Sequence, residues 1–232
     1  MLMHVPQVLS AAELGELRRR LAGAAWVDGR ITAGHQSALA KDNLQLPESD
    51  PLARQLGALV RAALERSSLF FAAALPRHIF PPLFNCYRPG QGFGSHIDNA
   101  IRYEQLTLPE GRAARPVRTD LSVTLFVSAP EEYEGGELVI ESPSGVQQVK
   151  LPAGDLVLYT ASNVHRVQPI TRGERIAAFF WIQSFVRDEG ERRVLFDLDL
   201  AIQSLTRQGS DSSAMVPLVG IYHNLLRRWA EV

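Results

Sequence analysis

The stretch "NCYRPGQGFGSHIDNA", residues 85–100, decides between two folds. If "GQGFG" is a phosphate-binding loop, a strand must precede it and a helix must follow, and the chain is an α/β protein. If the glycines only lead into a strand, the stretch delivers His96 and Asp98, two metal-ligand types, within a β protein. A dinucleotide loop needs G-x-G-x-x-G. Gly90 and Gly92 fit, but position 95 is Ser95, and His96, Ile97 and Asp98 run into a charged loop rather than an amphipathic helix. No G-x-x-x-x-G-K-[ST] occurs anywhere. The residues therefore carry the second reading: a turn at Pro89-Gly90, then a strand. Side chains two apart on a strand share a face, so His96 and Asp98 reach one cation. Gly92 and Gly94 are small either for the turn or for a substrate backbone passing over them.

The flanking sequence agrees with a β fold. "HIFPPLFNCY", "DLSVTLFVSA", "GGELVIES", "VQQVKL", "DLVLYTA", "HRVQPI" and "RIAAFFWIQSFV" are short and rich in β-branched and aromatic residues. Turn pairs separate them: Gly135-Gly136, Ser144-Gly145, Ala153-Gly154 and Arg172-Gly173. Many short strands without long helices between them predict an antiparallel sandwich or barrel. Helical periodicity is confined to the ends. Ser10 and Glu13 form a capping signature ahead of Leu14, Leu17 and Leu21, and a single second helix is expected over 51–68, after Pro51. Val194, Leu195, Leu198, Ile202 and Leu205 make one stripe, and Leu218, Ile221, Leu225 and Trp229 another. The expected class is α+β, mainly β. The expected organisation is a helical support region (1–76), a β core (77–187) and a C-terminal helical segment (188–232), whose last stripe either packs on the core or joins a homo-oligomer.

With 232 residues and 46% hydrophobic content, the chain can bury one good core. A net charge of −1 gives no field pointing to nucleic acid or an anionic membrane. Cys86 is the only cysteine, so no intrachain disulfide forms. The first twenty residues lack the pattern of a signal peptide, and no apolar run is long enough to span a bilayer. A cytoplasmic location is the expectation.

His165 opens a later strand of the same β region. Two histidines and one carboxylate leave three positions free on an octahedral ion, the arrangement of non-haem Fe(II) oxygen chemistry. A structural zinc site would instead be closed by four ligands, and Cys86 is out of phase with Tyr87. Arg175 lies ten residues past His165, across the turn at 171–174, which predicts consecutive antiparallel strands. It shares a face with Ala177, Phe179 and Trp181, so its charge needs an anion. Asp120 or Glu174 could supply one, or a ligand carboxylate could. Arg172 sits in the turn and is expected to face solvent.

His96-x-Asp98, His165 and Arg175 together resemble the Fe(II)- and 2-oxoglutarate-dependent dioxygenases. The leader "YRPGQGFGSHIDN" is similar to their prolyl-hydroxylase branch. "WVDGRITAGHQSALAKDNLQL", "EYEGGELVIES", "LPAGDLVLYTASNVHRVQPITRGERIAAFFWIQSFVRD" and the helical tail resemble the PKHD-type hydroxylases over nearly the whole chain. The resemblance implies a double-stranded β-helix (jelly-roll, cupin-like) core, with iron held by His96, Asp98 and His165. It implies 2-oxoglutarate held by Arg175 with Tyr87 nearby, Asn85 and Thr124 being further candidates. It implies O2 as cosubstrate, L-ascorbate as an accessory reductant, and a peptide or small-molecule substrate that is not identified. Two alternatives stand beside it: a non-catalytic iron or 2-oxoglutarate sensor, and a cupin-like metalloenzyme that would not need Arg175. His78 reads as structural. His35, in the 27–47 segment, is a candidate lid residue.

Overall fold

The computed structural model describes residues 2–32, 35–109, 111–143, 145–209 and 212–232, with the side chains of 31, 32, 35–37, 107, 108, 112 and 212 outside that description. Two sheets of antiparallel pairs face each other. The larger has eight strands among the described residues. Its order is Leu2–Val5, Leu156–Thr160, Leu121–Phe126, Arg175–Ser184, Leu83–Tyr87, Leu44–Gln45 and Val27–Asp28, with Pro76–Ile79 also paired to Arg175–Ser184. The smaller runs Gly145–Val149, Leu138–Ser142, His165–Val167, Gly92–His96 and Lys41–Asp42. This is the double-stranded β-helix with helices added at both ends.

Strand alternation builds two interiors from one sheet. Ile176, Ala178, Phe180 and Ile182 pack outward with Leu17, Leu21, Leu56, Val60 and Phe70 of the N-terminal helices. Truncating a core aromatic of this kind to alanine costs roughly 3–5 kcal/mol. One residue out of phase, Arg175, Phe179 and Trp181 line a cavity between the sheets. Asn85 and Tyr87 enter the same cavity, while Phe84, out of phase with them on the same strand, belongs to the outer core.

The helices start where the caps place them. Ser10 Oγ accepts from Glu13 N at 3.3 Å, and the Glu13 carboxylate accepts from Ser10 N at 2.9 Å, closing a capping box on Ala11–Leu21. Asp50 caps Pro51–Glu65 with its side chain alone, Oδ1 accepting from Leu52 N at 2.7 Å. At the other end Glu189–Arg207 and Ser212–Trp229 pack together. Tyr222, Leu225, Leu226 and Trp229 close over Leu75, Val186 and Leu195. Much of the last apolar stripe therefore packs on the core, although Ile221 stays 49% exposed. Among the described residues no helix is long and apolar enough to cross a membrane.

Three expectations are corrected. The charged loop after Asp98 is a hairpin, Ile101–Leu108 with Gly111–Arg118, paired in register throughout. Its alternation is inverted: Ile101 and Tyr103 face out, while Arg102 and Glu104 turn inward. An amphipathic pattern worn inside out does not read as a strand. Residues 68–74 form a separate short helix capped by Ser67. Finally, His165 and Arg175 are not on neighbouring strands. The chain leaves the smaller sheet after Val167, makes the strand Ile170–Gly173 against Tyr133–Gly135, and enters the larger sheet at Arg175. The two residues thus approach the cavity from opposite walls.

Candidate active site

His96 ends its strand and pairs in register with His165, the first residue of the neighbouring strand. Their ring centroids are 4.2 Å apart. Asp98 lies two residues beyond the strand end, so alternation does not place it. Ser122 on the opposite sheet does: its hydroxyl donates to Asp98 Oδ2 at 2.6 Å. Asp98 Oδ2 stands 3.7 Å from His165 Nε2, and the ligand atoms of all three residues lie within 4.8 Å of one another.

Both imidazoles are held in the ligating form. His96 Nδ1 is 2.9 Å from the Gly94 carbonyl and His165 Nδ1 is 3.0 Å from that of Asn163. A carbonyl only accepts, so each Nδ1 carries a proton and Nε2 is the nitrogen left to ligate. Burial, then the neighbouring His165, pushes the His96 pKa down to about 4, so the ring is neutral at neutral pH. Phe93 stacks on His96 at 3.6 Å between ring centroids, and Tyr159 meets His165 edge-on at 5.1 Å.

Arg175 opens the longest strand and pairs in register with Tyr87. It is 1% exposed. Its guanidinium lies 5.5 Å from the Tyr87 ring and 5.3 Å from that of Phe126. Among the described residues it has no carboxylate partner. Asp120 is engaged by Arg118 and by Ser184 N, and Glu174 by Arg88. Arg175 Nε and Asn85 Oδ1 are buried without a hydrogen bond. Native interiors rarely leave such groups unmatched, and their concentration fits a polar ligand. Arg172, by contrast, is 62% exposed and pairs with Glu134, as expected of the turn.

Gly92 and Gly94 are small for the protein's own packing. A Cβ on Gly92 would lie 3.0 Å from the Val167 carbonyl oxygen and 3.3 Å from Pro169, and one on Gly94 would lie 3.1 Å from Ala40 Cβ. His78 is tied to Glu104 at 2.9 Å beside Arg115, in keeping with a structural role. The side chain of His35 lies outside the described residues. Cys86 is buried on the far face, and burial pushes its thiol up to about 11.

Sequence reasoning missed Ser122, Lys41 and Arg102, all of which line the cavity. Lys41 is 5% exposed; its Nζ donates to Gln45 Oε1 at 2.8 Å and lies 5.6 Å from the ring centroids of both Phe93 and Phe179. A signal existed. Lys41, Asn43 and Gln45 are polar at every second position and all buried, a polar stripe aimed inward.

A double-stranded β-helix with two histidines and a carboxylate beside a buried arginine defines a class, the 2-oxoglutarate-dependent Fe(II) oxygenases. Residues 82–183 match the 2OG-Fe(II) oxygenase superfamily, and residues 189–231 match the PKHD-type hydroxylase C-terminal domain. A PKHD-type hydroxylase of Xanthomonas campestris pv. campestris is 58% identical, with 100% of both chains covered. One of Burkholderia ambifaria is 56% identical over the same full coverage. The chain belongs to the PKHD-type hydroxylase family and is a 2-oxoglutarate-dependent dioxygenase. Among solved structures, a prolyl-4-hydroxylase of Pseudomonas putida shares the fold with a TM-score of 0.52 and 19% identity, over 78% of this chain and 92% of that one.

Proposed function

We propose that His96, Asp98 and His165 hold Fe(II), that Arg175 binds the distal carboxylate of 2-oxoglutarate, and that the enzyme hydroxylates a C–H bond of a small or peptidyl substrate. One observation carries this reading. Three ligands converge with both Nε2 atoms turned inward, facing a buried arginine to which none of the described residues gives a carboxylate. Bound together, iron and 2-oxoglutarate supply the oxidant for hydroxylation, with succinate and CO2 as co-products. The chain's own residues do the positioning. Ser122 orients the Asp98 carboxylate, and the two backbone carbonyls orient the imidazoles. Burial holds the Tyr87 phenol protonated, a donor beside Arg175. Phe93, Phe179 and Trp181 exclude water from the reacting centre.

Anaerobic addition of Fe(II) and 2-oxoglutarate is expected to produce a weak visible charge-transfer band, and admitting air should release succinate. Asp98→Ala and His165→Ala should lower metal affinity by more than about 100-fold, beyond the usual cost of losing an outer partner. A wild-type chain that shows no band and forms no succinate would refute the reading.

A further inference from the structure

We propose that Lys150 is a positioning residue for the cosubstrate: its ammonium fixes the 133–136 segment, which backs Arg175. The inference rests on the reading above, in which Arg175 binds 2-oxoglutarate. Lys150 follows the edge strand Gly145–Val149, and neither it nor Tyr133 lines the cavity. Lys150 Nζ donates to the carbonyl of Tyr133 at 2.9 Å and to that of Gly135 at 3.3 Å. It also stands 4.1 Å from the centroid of the Tyr133 ring.

The segment needs an outside tie. Gly135 and Gly136 are consecutive left-handed residues, at φ +73° and +68°. Glycine loses more conformational freedom on folding than any other residue, so two in series are costly to hold. The pairing of Tyr133–Gly135 with Ile170–Gly173 also slips between Glu134 and Gly135. The two carbonyls that accept from Lys150 lie on either side of that slip, so one ammonium spans it. The ring contact adds a cation–π attraction to the same residue.

The segment presents Arg175 with a hydroxyl and a wall. Burial holds the Tyr133 phenol protonated, and Arg175 acts on it by charge and by a hydrogen bond. A guanidinium only donates, so the phenol oxygen accepts. A Cβ on Gly136 would lie 3.0 Å from both Arg175 Cδ and Tyr133 Cε2, so the glycine lets the arginine stem and the ring pack against one stretch of backbone. The faces of Tyr87 and Phe126 flank the guanidinium but fix no direction within its plane. The Tyr133 oxygen does fix one, and a carboxylate met by two parallel N–H donors depends on that plane. Lys150 therefore acts through Tyr133 on the way Arg175 meets an acid.

The test measures 2-oxoglutarate binding to the Fe(II)-loaded chain without oxygen, from the visible band and by calorimetry. Lys150→Met keeps the apolar stem and removes the donor. It should raise the 2-oxoglutarate Kd roughly tenfold, within the range for a residue acting through a packed network, and leave Fe(II) affinity unchanged. Lys150→Arg, which can still donate to both carbonyls, should recover most of the loss. In an Arg175→Met background Lys150→Met should add nothing, because the path runs through that arginine. Tyr133→Phe removes only the hydroxyl; it should raise the Kd severalfold, and it decides the matter if Lys150→Met does not fold. An unchanged Kd in Lys150→Met, or in Tyr133→Phe where the first variant does not fold, would overturn the proposal. So would an undiminished loss in the Arg175→Met background, since Lys150 would then act on the fold at large. An Arg175→Met variant with unchanged Kd would sink the cosubstrate reading and this proposal with it, whereas a loss in Arg175→Met alone sinks only the proposal.

Discussion

Arg175 and Arg192 are both 1% exposed, yet they sit in regions that treat a buried guanidinium in opposite ways. At the junction of the β core with the C-terminal helices, Arg192 Nη1 donates to the carbonyls of Val186 and Arg187, each at 2.7 Å. Asp120 and Asp188 lie near enough to favour its charge. Between the sheets, Arg175 meets the faces of Tyr87 and Phe126 instead. Burial alone does not distinguish a structural arginine from a ligand-binding one. The distinction is whether the chain supplies the acceptors.

Substituting the two arginines should separate them. Arg175→Met is expected to raise the 2-oxoglutarate Kd by about 100-fold or more, the usual cost of stripping one partner from a buried charge pair. A titration of the visible band reads this. The same variant without ligand should unfold no earlier than wild type, because an uncompensated buried charge has gone. Arg192→Met should do the reverse: about 1–3 kcal/mol lost in urea unfolding, chiefly from the buried Val186 carbonyl left without its donor, and an unchanged 2-oxoglutarate Kd. If the two variants exchanged phenotypes, the comparison would be wrong.

Smaller perturbations sharpen it. Gly136 has φ +68°, and a Cβ there would lie 2.4 Å from Ile170 Cδ1 and 3.0 Å from Arg175 Cδ. Gly136→Ala should displace the Arg175 stem, weakening 2-oxoglutarate and costing about 1–2 kcal/mol in backbone strain. On the other side, Asp188 caps the helix that carries Arg192, accepting from Glu191 N at 2.9 Å. Asp188→Ala should lower stability by about 1 kcal/mol in thermal unfolding and leave 2-oxoglutarate binding alone.

The β core was legible because its signals are local. Alternation and glycine-bearing turns mark Leu121–Phe126, Leu156–Thr160 and Arg175–Ser184, and the capping box marks the first helix. The four residues His96, Asp98, His165 and Arg175 could be chosen from residue type and spacing. Their arrangement could not. Asp98 lies past its strand and is set by Ser122, from a strand of the other sheet, and the path from His165 to Arg175 crosses between sheets. Arg102 was hidden by the inverted hairpin, where charge faces in and isoleucine faces out. Lys41 was hidden because its strand is two residues long and the polar alternation it shares with Asn43 and Gln45 reads as a loop until their burial is known.

The composition gives that lysine a practical meaning. The chain has 24 basic residues, and only Lys41 and Lys150 among them are lysine. Lys150 donates to the carbonyl of Tyr133 at 2.9 Å and lies over its ring. An amine-directed isotope label therefore finds two side chains, each beside an aromatic ring that shifts its resonance. Reductive methylation with carbon-13 would give a two-signal side-chain spectrum in which one probe sits at the cavity wall and the other against the Tyr133 ring.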